Sequence, residues 1–154
     1  MAVELGMLEI DRGAFSHQPF ARRVPKPWGW ELHWTPSELP YMGKLLHVRA
    51  GSRLSLQVHD AKRESWLLIQ GEAKVVWEDC EGVLVETALR AHEGYTCALG
   101  QKHRLVGVTD CYIIEVSTPE CGTTWRLEDD YARPHETEEQ RARERIDCQG
   151  LRPA

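Results

Sequence analysis

The stretch from residue 51 to residue 71 decides the fold, and it reads Gly51-Ser-Arg-Leu-Ser-Leu-Gln-Val-His-Asp-Ala-Lys-Arg-Glu-Ser-Trp-Leu-Leu-Ile-Gln-Gly71. Gln57 and His59 are two residues apart, so their side chains leave the same face of a β-strand. Glu64 follows a short polar turn and starts a second apolar run. The pattern predicts a hairpin of two strands that brings three potential metal ligands together.

A fourth candidate ligand, His103, opens a later apolar run that reads His-Arg-Leu-Val-Gly. A sheet closed into a barrel could bring it opposite the first three side chains. Imidazole, amide oxygen and carboxylate form a mixed nitrogen and oxygen donor set, which suits Fe(II), Mn, Ni, Co or Zn and does not select among them. The residue types alone also fit a second interpretation, in which the three hairpin residues are polar positions on an exposed face and His103 is an ordinary loop histidine.

Length and composition indicate one β-rich domain. A chain of 154 residues can bury a hydrophobic core without disulfides. Short runs of Val, Leu, Ile, Trp and Tyr alternate with Gly, Pro, Asp and Ser, which favours an all-β sandwich or barrel. The runs divide the chain into an N-terminal arm (1–23), a β-barrel domain (24–133) and a polar C-terminal tail (134–154). The tail is expected to be either a short solvated helix or disordered.

Charge, hydropathy and cysteine usage argue against several partners. The formal net charge of −5 provides no basic footprint for nucleic acid, and no apolar run approaches the length of a membrane span. The five cysteines are scattered without a Cys-x-x-Cys pair, and the N-terminus lacks a basic and then apolar signal pattern. These features predict a cytoplasmic protein with reduced thiols and with neither a nucleic-acid nor a membrane partner.

Two further residues are candidates for the inside of the predicted barrel. Lys44 is a cation within an otherwise apolar run, which either a solvated face or a substrate anion in the cavity would explain. The last predicted hairpin pairs residues 103–107 with residues 111–117. In that antiparallel register His103 lies opposite Glu115, so both side chains would face the same side.

Several spaced residues resemble a known superfamily. Five of them resemble the first motif of the cupins: Gly51, Gln57, His59, Glu64 and Gly71. Gln57 stands where many members carry their first histidine, and Gly100-Gln-Lys-His103 resembles the end of the second motif. Three segments resemble, more narrowly, the cupin domain of type II mannose-6-phosphate isomerases and of small stand-alone cupins: Lys26-Pro-Trp-Gly29, Leu54-Ser-Leu-Gln57, and Arg126-Leu-Glu-Asp-Asp-Tyr131 followed by Arg133. The likeness covers about residues 24–133.

This resemblance implies a jelly-roll barrel, usually a homodimer, that holds one divalent metal ion. The ligands that it implies are Gln57, His59, Glu64 and His103. In an isomerase of this kind, the metal polarises a sugar carbonyl and stabilises the enediolate that forms as a proton moves between C1 and C2. The expected substrate is therefore a sugar or a sugar phosphate.

The same resemblance assigns roles to residues around the metal. The acid or base within reach of the moving proton is expected to be Glu115 or Lys44. The forked donors of three arginines are candidates for gripping a phosphate: Arg53, Arg126 and Arg133. Plainer roles stay open, because Glu115 could serve as an ion-pair partner at a strand end and the arginines could pair with surface carboxylates.

Three classes of function remain open at this point. The first is a metal-dependent isomerase or epimerase of a sugar phosphate or a similar hydroxy-carbonyl compound. The second is a non-haem Fe(II) oxygenase, or a metal-dependent lyase or cyclase, because two histidines and a carboxylate also form open Fe(II) sites. The third is a non-catalytic cupin that binds a small molecule.

Overall fold

This computed structural model describes the backbone of residues 11–149 and the side chains up to residue 143. Within this range the chain forms eleven β-strands and one α-helix. A single 3₁₀ turn, Arg12–Ala14, precedes the strands, and the helix α1, Glu138–Gln149, follows them. The strands are β1 (Arg22–Lys26), β2 (Gly29–His33), β3 (Met42–Val48), β4 (Leu56–His59), β5 (Glu64–Gln70), β6 (Ala73–Glu78), β7 (Leu84–Ala88), β8 (Gly94–Cys97), β9 (His103–Gly107), β10 (Cys111–Ser117) and β11 (Thr124–Glu128).

The strands form two antiparallel sheets of a jelly roll. The six-stranded sheet has the order β1-β2-β3-β10-β5-β8, and the five-stranded sheet has the order β11-β4-β9-β6-β7. The predicted all-β class and jelly-roll architecture are therefore confirmed. Among the described residues, no helix is long and apolar enough to cross a membrane.

The predicted hairpin of the 51–71 stretch is wrong. Strands β4 and β5 belong to different sheets, since β4 pairs with β11 and β9 whereas β5 pairs with β10 and β8. Residues 60–63 carry the chain from one sheet to the other. A short polar turn between two apolar runs is common to hairpins and to such corners, so the local pattern does not separate them.

The predicted pairing of residues 103–107 with residues 111–117 is also wrong, because β9 and β10 belong to different sheets. His103 on β9 lies opposite Gln57 and Trp77, and Glu115 on β10 lies opposite Lys44 and Trp66. Both side chains nevertheless point inward, because the inner faces of the two sheets meet in the same interior.

The interior has an apolar end and a polar end. Strand β10 buries Ile113 and Cys111 toward one end and Glu115 toward the other, and β3 alternates in the same way. The apolar end contains the core cluster, which comprises Trp28, Leu46, Val48, Trp66, Leu68, Ala73, Val75, Leu89, Cys97, Leu105, Cys111 and Ile113. This packed end leaves the polar end as the place for a ligand.

The two ends of the chain flank the strands. Strand β1 begins at Arg22, two residues inside the predicted arm, and residues 1–10 and 150–154 lie outside the described part of the chain. The tail contains the helix α1, which was one of its two predicted forms.

Candidate metal centre

Four side chains from three strands meet at the polar end of the interior. Gln57 and His59 project from β4, His103 from the start of β9 and Glu64 from the start of β5. Glu64 Oε1 lies 2.9 Å from His103 Nε2 and 3.4 Å from His59 Nε2. Gln57 Nε2 lies 3.3 Å from each imidazole Nε2. The donor atoms of the two histidines and the glutamate all lie within 4.8 Å of one another, which is close enough to share one cation.

The outer nitrogens of both imidazoles have partners that set the orientation of the rings. His103 Nδ1 donates to Gln101 O at 2.9 Å and lies 3.0 Å from Cys97 Sγ. His59 Nδ1 lies 3.0 Å from the hydroxyl of Thr124. Such contacts turn the remaining Nε2 atoms toward the centre, as they do around metal-ligating histidines generally.

Burial lowers the pKa of His103, but its hydrogen bond with Cys97 and the nearby carboxylate of Glu64 outweigh burial and raise the pKa to about 10. Metal ligation requires a neutral imidazole, so a cation at the centre would take the place of this proton.

The amide of Gln57 can serve as a ligand after a half turn. Its Oε1 accepts a hydrogen bond from Ser55 Oγ at 2.8 Å, and its Nε2 faces the imidazoles. A hydroxyl both donates and accepts, so Ser55 can also bind the amide nitrogen when Oε1 is turned inward. The fourth predicted ligand thus has a partner in either orientation.

Lys62 is the centre of a buried ion-pair network beside these ligands. Its Nζ lies 2.6 Å from Glu64 Oε2, 2.9 Å from Glu115 Oε1 and 3.5 Å from Glu120 Oε1. The contact with Glu64 Oε2 is an ion pair outside hydrogen-bonding geometry. Burial lowers the pKa of Lys62, but the carboxylates outweigh burial and raise the pKa well above its ordinary value. Burial likewise raises the pKa of Glu64, but Lys62 and the two imidazoles hold it well below the usual range.

Lys44 supplies the second buried ammonium group. Its Nζ donates to Glu120 and lies 3.5 Å from Glu115 Oε1 and 3.8 Å from Glu31 Oε2. Burial raises the pKa values of Glu31 and Glu120, but Lys44 and the neighbouring cations lower both well below the ordinary range.

The donor set of this buried cluster fits a divalent cation. The carboxylates of Glu31, Glu64, Glu115 and Glu120 are paired with three ammonium groups, those of Lys26, Lys44 and Lys62. Buried charge is costly unless it is paired, and a cation at the His59, Glu64 and His103 donors would replace the proton of His103 as the partner of Glu64. The donor set of two imidazoles, a carboxylate and an amide oxygen is of the kind that binds first-row transition metals.

The centre opens into a polar cavity of ≈ 120 Å³. Four of the five predicted catalytic and substrate-binding residues line it: Lys44, Glu115, Arg126 and Arg133. Arg53 does not, because its side chain is 45% exposed and forms a bidentate pair with Asp130 at 2.7 and 2.8 Å.

Six charged residues of the cavity were not singled out from the sequence: Arg22, Glu31, Lys62, Glu120, Glu136 and Arg141. The position of Lys62 between two predicted ligands, His59 and Glu64, could have indicated that it lies near the centre. The sequence around Arg141 pointed the other way, because a segment rich in Glu and Arg is typical of a solvated tail.

The fold and the site together define a cupin with a candidate metal centre. The family model for the C-terminal domain of mannose-6-phosphate isomerase matches residues 14–135, and the chain belongs to this family. No curated protein gives a significant match.

Solved structures with the same fold carry several different names. Oxalate decarboxylase from Lactobacillus farciminis, in its formate complex, is 23% identical with a TM-score of 0.63, and the match covers 89% of this chain and 43% of that one. KdgF from Halomonas sp. is 16% identical with a TM-score of 0.55, covering 66% and 88%. The capsular polysaccharide assembling protein CapF from Staphylococcus aureus is 11% identical with a TM-score of 0.54, covering 83% and 34%. The chain thus spans less than half of the decarboxylase and of CapF, and these likenesses show the fold alone.

Proposed function

We propose that the protein is a metal-dependent isomerase or epimerase of a small hydroxy-carbonyl compound such as a sugar phosphate. The observation that carries this proposal is the position of the four candidate ligands directly beside the buried network of Lys44, Lys62 and Glu115. A divalent cation bound there supplies Lewis-acid polarisation of a carbonyl and stabilises the charge that develops on its oxygen. Membership of the mannose-6-phosphate isomerase family supports this class of reaction.

Proton transfer between neighbouring carbons needs an acid or base at the cavity wall. Glu115 Oε1 accepts from Lys62 at 2.9 Å and lies 3.5 Å from Lys44 Nζ, so its carboxylate is held in place by two ammonium groups. We assign proton abstraction to Glu115 and the stabilisation of a substrate oxygen to Lys44. Arg126 and Arg133 are the proposed contacts for a substrate anion, and Arg53 is left out because its fork already binds Asp130.

Solvent exchange tests this function directly. The purified protein is incubated in D₂O with a panel of aldose and ketose phosphates, and deuterium at carbon is measured by NMR. We expect incorporation that a chelator abolishes and that Glu115→Gln reduces at least 100-fold, while the exposed-site control Glu86→Gln stays within twofold. Absence of deuterium from both product and recovered substrate across the panel would contradict the proposal.

A second candidate is an oxygenase or lyase acting on a smaller metabolite. It is favoured by the His59, Glu64 and His103 donors, which match the two-histidine, one-carboxylate set of open Fe(II) sites, and by the modest cavity. It predicts oxygen uptake or elimination with Fe(II) and not with Zn. Turnover that is unchanged under strict anaerobiosis would leave only the lyase version.

The third class, a binding module, makes an opposite prediction. If Gln57→Ala combined with His59→Ala removes the metal but leaves ligand affinity and Tm unchanged, the metal contributes to neither ligand binding nor stability.

A further inference from the structure

The segment that follows β11 forms part of the cavity wall. Arg141 on α1 is only 6% exposed, and with Glu136 it lines the cavity, although the charged sequence around it predicts a solvated helix or a disordered tail. The family match ends at residue 135, so both residues lie beyond the matched domain. The matched family pattern therefore does not include them.

Backbone and side-chain contacts attach this segment to the strand beside the metal ligands. Thr124 and Glu136 exchange two backbone hydrogen bonds of 2.9 and 3.0 Å, and Gly122 N donates to Glu138 Oε1 at 3.0 Å. Thr124 is the same residue whose hydroxyl contacts His59 Nδ1 at 3.0 Å. The C-terminal segment is therefore one residue removed from a candidate metal ligand.

Glu136 links two arginines at this wall. Its Oε2 accepts from Arg126 Nη2 at 2.7 Å, and its Oε1 lies 3.6 Å from Arg141 Nη1. Arg141 also donates to the carbonyl oxygens of Glu136 and Gly122. Arg126 lies directly opposite Gln57 in the β11–β4 register, so its side chain shares the face of the ligands.

This wall has an excess of positive charge and an unused donor. Three guanidinium groups, those of Arg126, Arg133 and Arg141, stand against the two carboxylates of Glu136 and Asp129 that pair with them, which leaves a formal charge of +1. Arg126 Nε is buried and has no hydrogen-bond acceptor among the described residues. A buried donor without a partner is costly, and an anionic group in the cavity would satisfy it.

We propose that residues 136–141 complete the substrate site, with Arg141 as a positioning residue that holds Glu136, which in turn orients Arg126 to bind the phosphate or carboxylate group of an anionic substrate. This inference rests on the proposed function in one respect: it names an anionic substrate class for the same cavity. It adds that specificity for the anion depends on the C-terminal segment.

Titration with inorganic phosphate and with malonate tests the proposal on the full-length protein with its purified metal content. Arg141→Met removes the guanidinium group but keeps a long, unbranched side chain. Arg143→Met is the matched control because Arg143 is exposed on the same helix. By isothermal calorimetry we expect Arg141→Met to weaken binding of at least one anion tenfold or more at unchanged metal content, and Arg143→Met to stay within twofold. Wild-type affinity in a folded Arg141→Met protein, or no binding of either anion by the wild type, would overturn the proposal.

Arg141→Lys keeps the test decisive if the methionine variant does not fold. Lysine retains the charge but cannot bind Gly122 O and Glu136 together as the guanidinium does, so we expect at least threefold weaker anion binding. Unchanged affinity in this variant would then overturn the proposal.

A kinetic split separates anion positioning from a general loss of structure. In the deuterium-exchange assay, Arg141→Met should raise KM about tenfold for anionic substrates and leave exchange with uncharged aldoses and ketoses within twofold. An equal loss for both would contradict a role in anion binding. If no substrate exchanges deuterium but Arg141→Met still loses the anion, only the isomerase proposal fails.

Discussion

At the scale of single residues, one hydroxyl orients a candidate metal ligand. Thr124 is 5% exposed, and its Oγ1 is the partner of His59 Nδ1. Thr124→Val keeps the shape of the side chain and its backbone bonds with Glu136. We expect metal affinity to fall about 10- to 100-fold, the usual effect of losing such an outer contact, as measured by competition with a chelating dye. Thr123→Val is the control, and equal affinities in the two variants would show that the hydroxyl does not orient His59.

A second residue-scale prediction concerns the buried ammonium of Lys62. Lys62→Met leaves Glu64, Glu115 and Glu120 with less positive charge nearby, and stranding buried carboxylates costs about 3–5 kcal/mol. Urea unfolding measures this loss. The control is Lys74→Met, which breaks the exposed pair with Glu86 at 2.6 Å and should cost less than about 1 kcal/mol. Comparable costs for both variants would mean that the buried network is not a major source of stability.

At the scale of elements, the jelly roll depends on the corners at which the chain passes between sheets. Gly71 joins β5 to β6 with φ +84°, and a Cβ there would lie 2.3 Å from Asp110 O. Gly51 has a similar φ of +71°, but a Cβ there would meet nothing within 4 Å. The two glycines thus form a matched pair that separates backbone strain from close contact.

We expect Gly51→Ala to cost roughly 1 kcal/mol, because an L-residue is strained at positive φ. Gly71→Ala should cost clearly more, since the neighbouring backbone of β10 must also move. Urea unfolding of both variants measures the difference. A Gly71 variant that is as stable as the Gly51 variant would show that this corner can relax.

At the scale of the whole molecule, the candidate centre connects the two sheets. Gln57, His59 and His103 come from the five-stranded sheet, and Glu64 comes from the six-stranded sheet. A cation that binds only the folded protein stabilises it by about 2.7 kcal/mol at a metal concentration 100 times its Kd. We therefore expect Tm to rise with added metal and to fall with a chelator, as calorimetry would record. His59→Ala should abolish this response, and a variant that keeps it would place the metal elsewhere.

Acid stability also belongs to the whole molecule. Glu31 and Glu120 have pKa values held below the ordinary 4.5 by Lys44 and neighbouring cations, against the opposing effect of burial. A lowered carboxyl pKa contributes stability that is present above the unfolded-state value and is lost as pH falls below it. The free energy of unfolding should stay nearly level from pH 7 to pH 5 and decline below about pH 4.5. Glu120→Gln should reduce that slope, and an identical slope would contradict the ion-pair origin.

Much of the fold and part of the site follow from local sequence. The alternation along residues 53–59 places Gln57 and His59 on one face because a strand has a side-chain period of two. Apolar runs separated by turn residues likewise predict the strands and the all-β class. These features depend only on neighbouring residues, so one chain read in order is enough to predict them.

Pairing and burial depended on the tertiary structure. Whether residues 60–63 form a hairpin or a corner is decided by which sheet can cover each apolar face, and that depends on strands far along the chain. Lys62 and Glu115 meet across 53 positions in the sequence. Arg141 can be buried because the carbonyl oxygens of Gly122 and Glu136 accept its hydrogen bonds. The sequence by itself determined which residues can bind a metal and which faces are apolar. The packing of two sheets decided which charges share one cavity, because burial and Coulomb energy depend on distance in space and not along the chain.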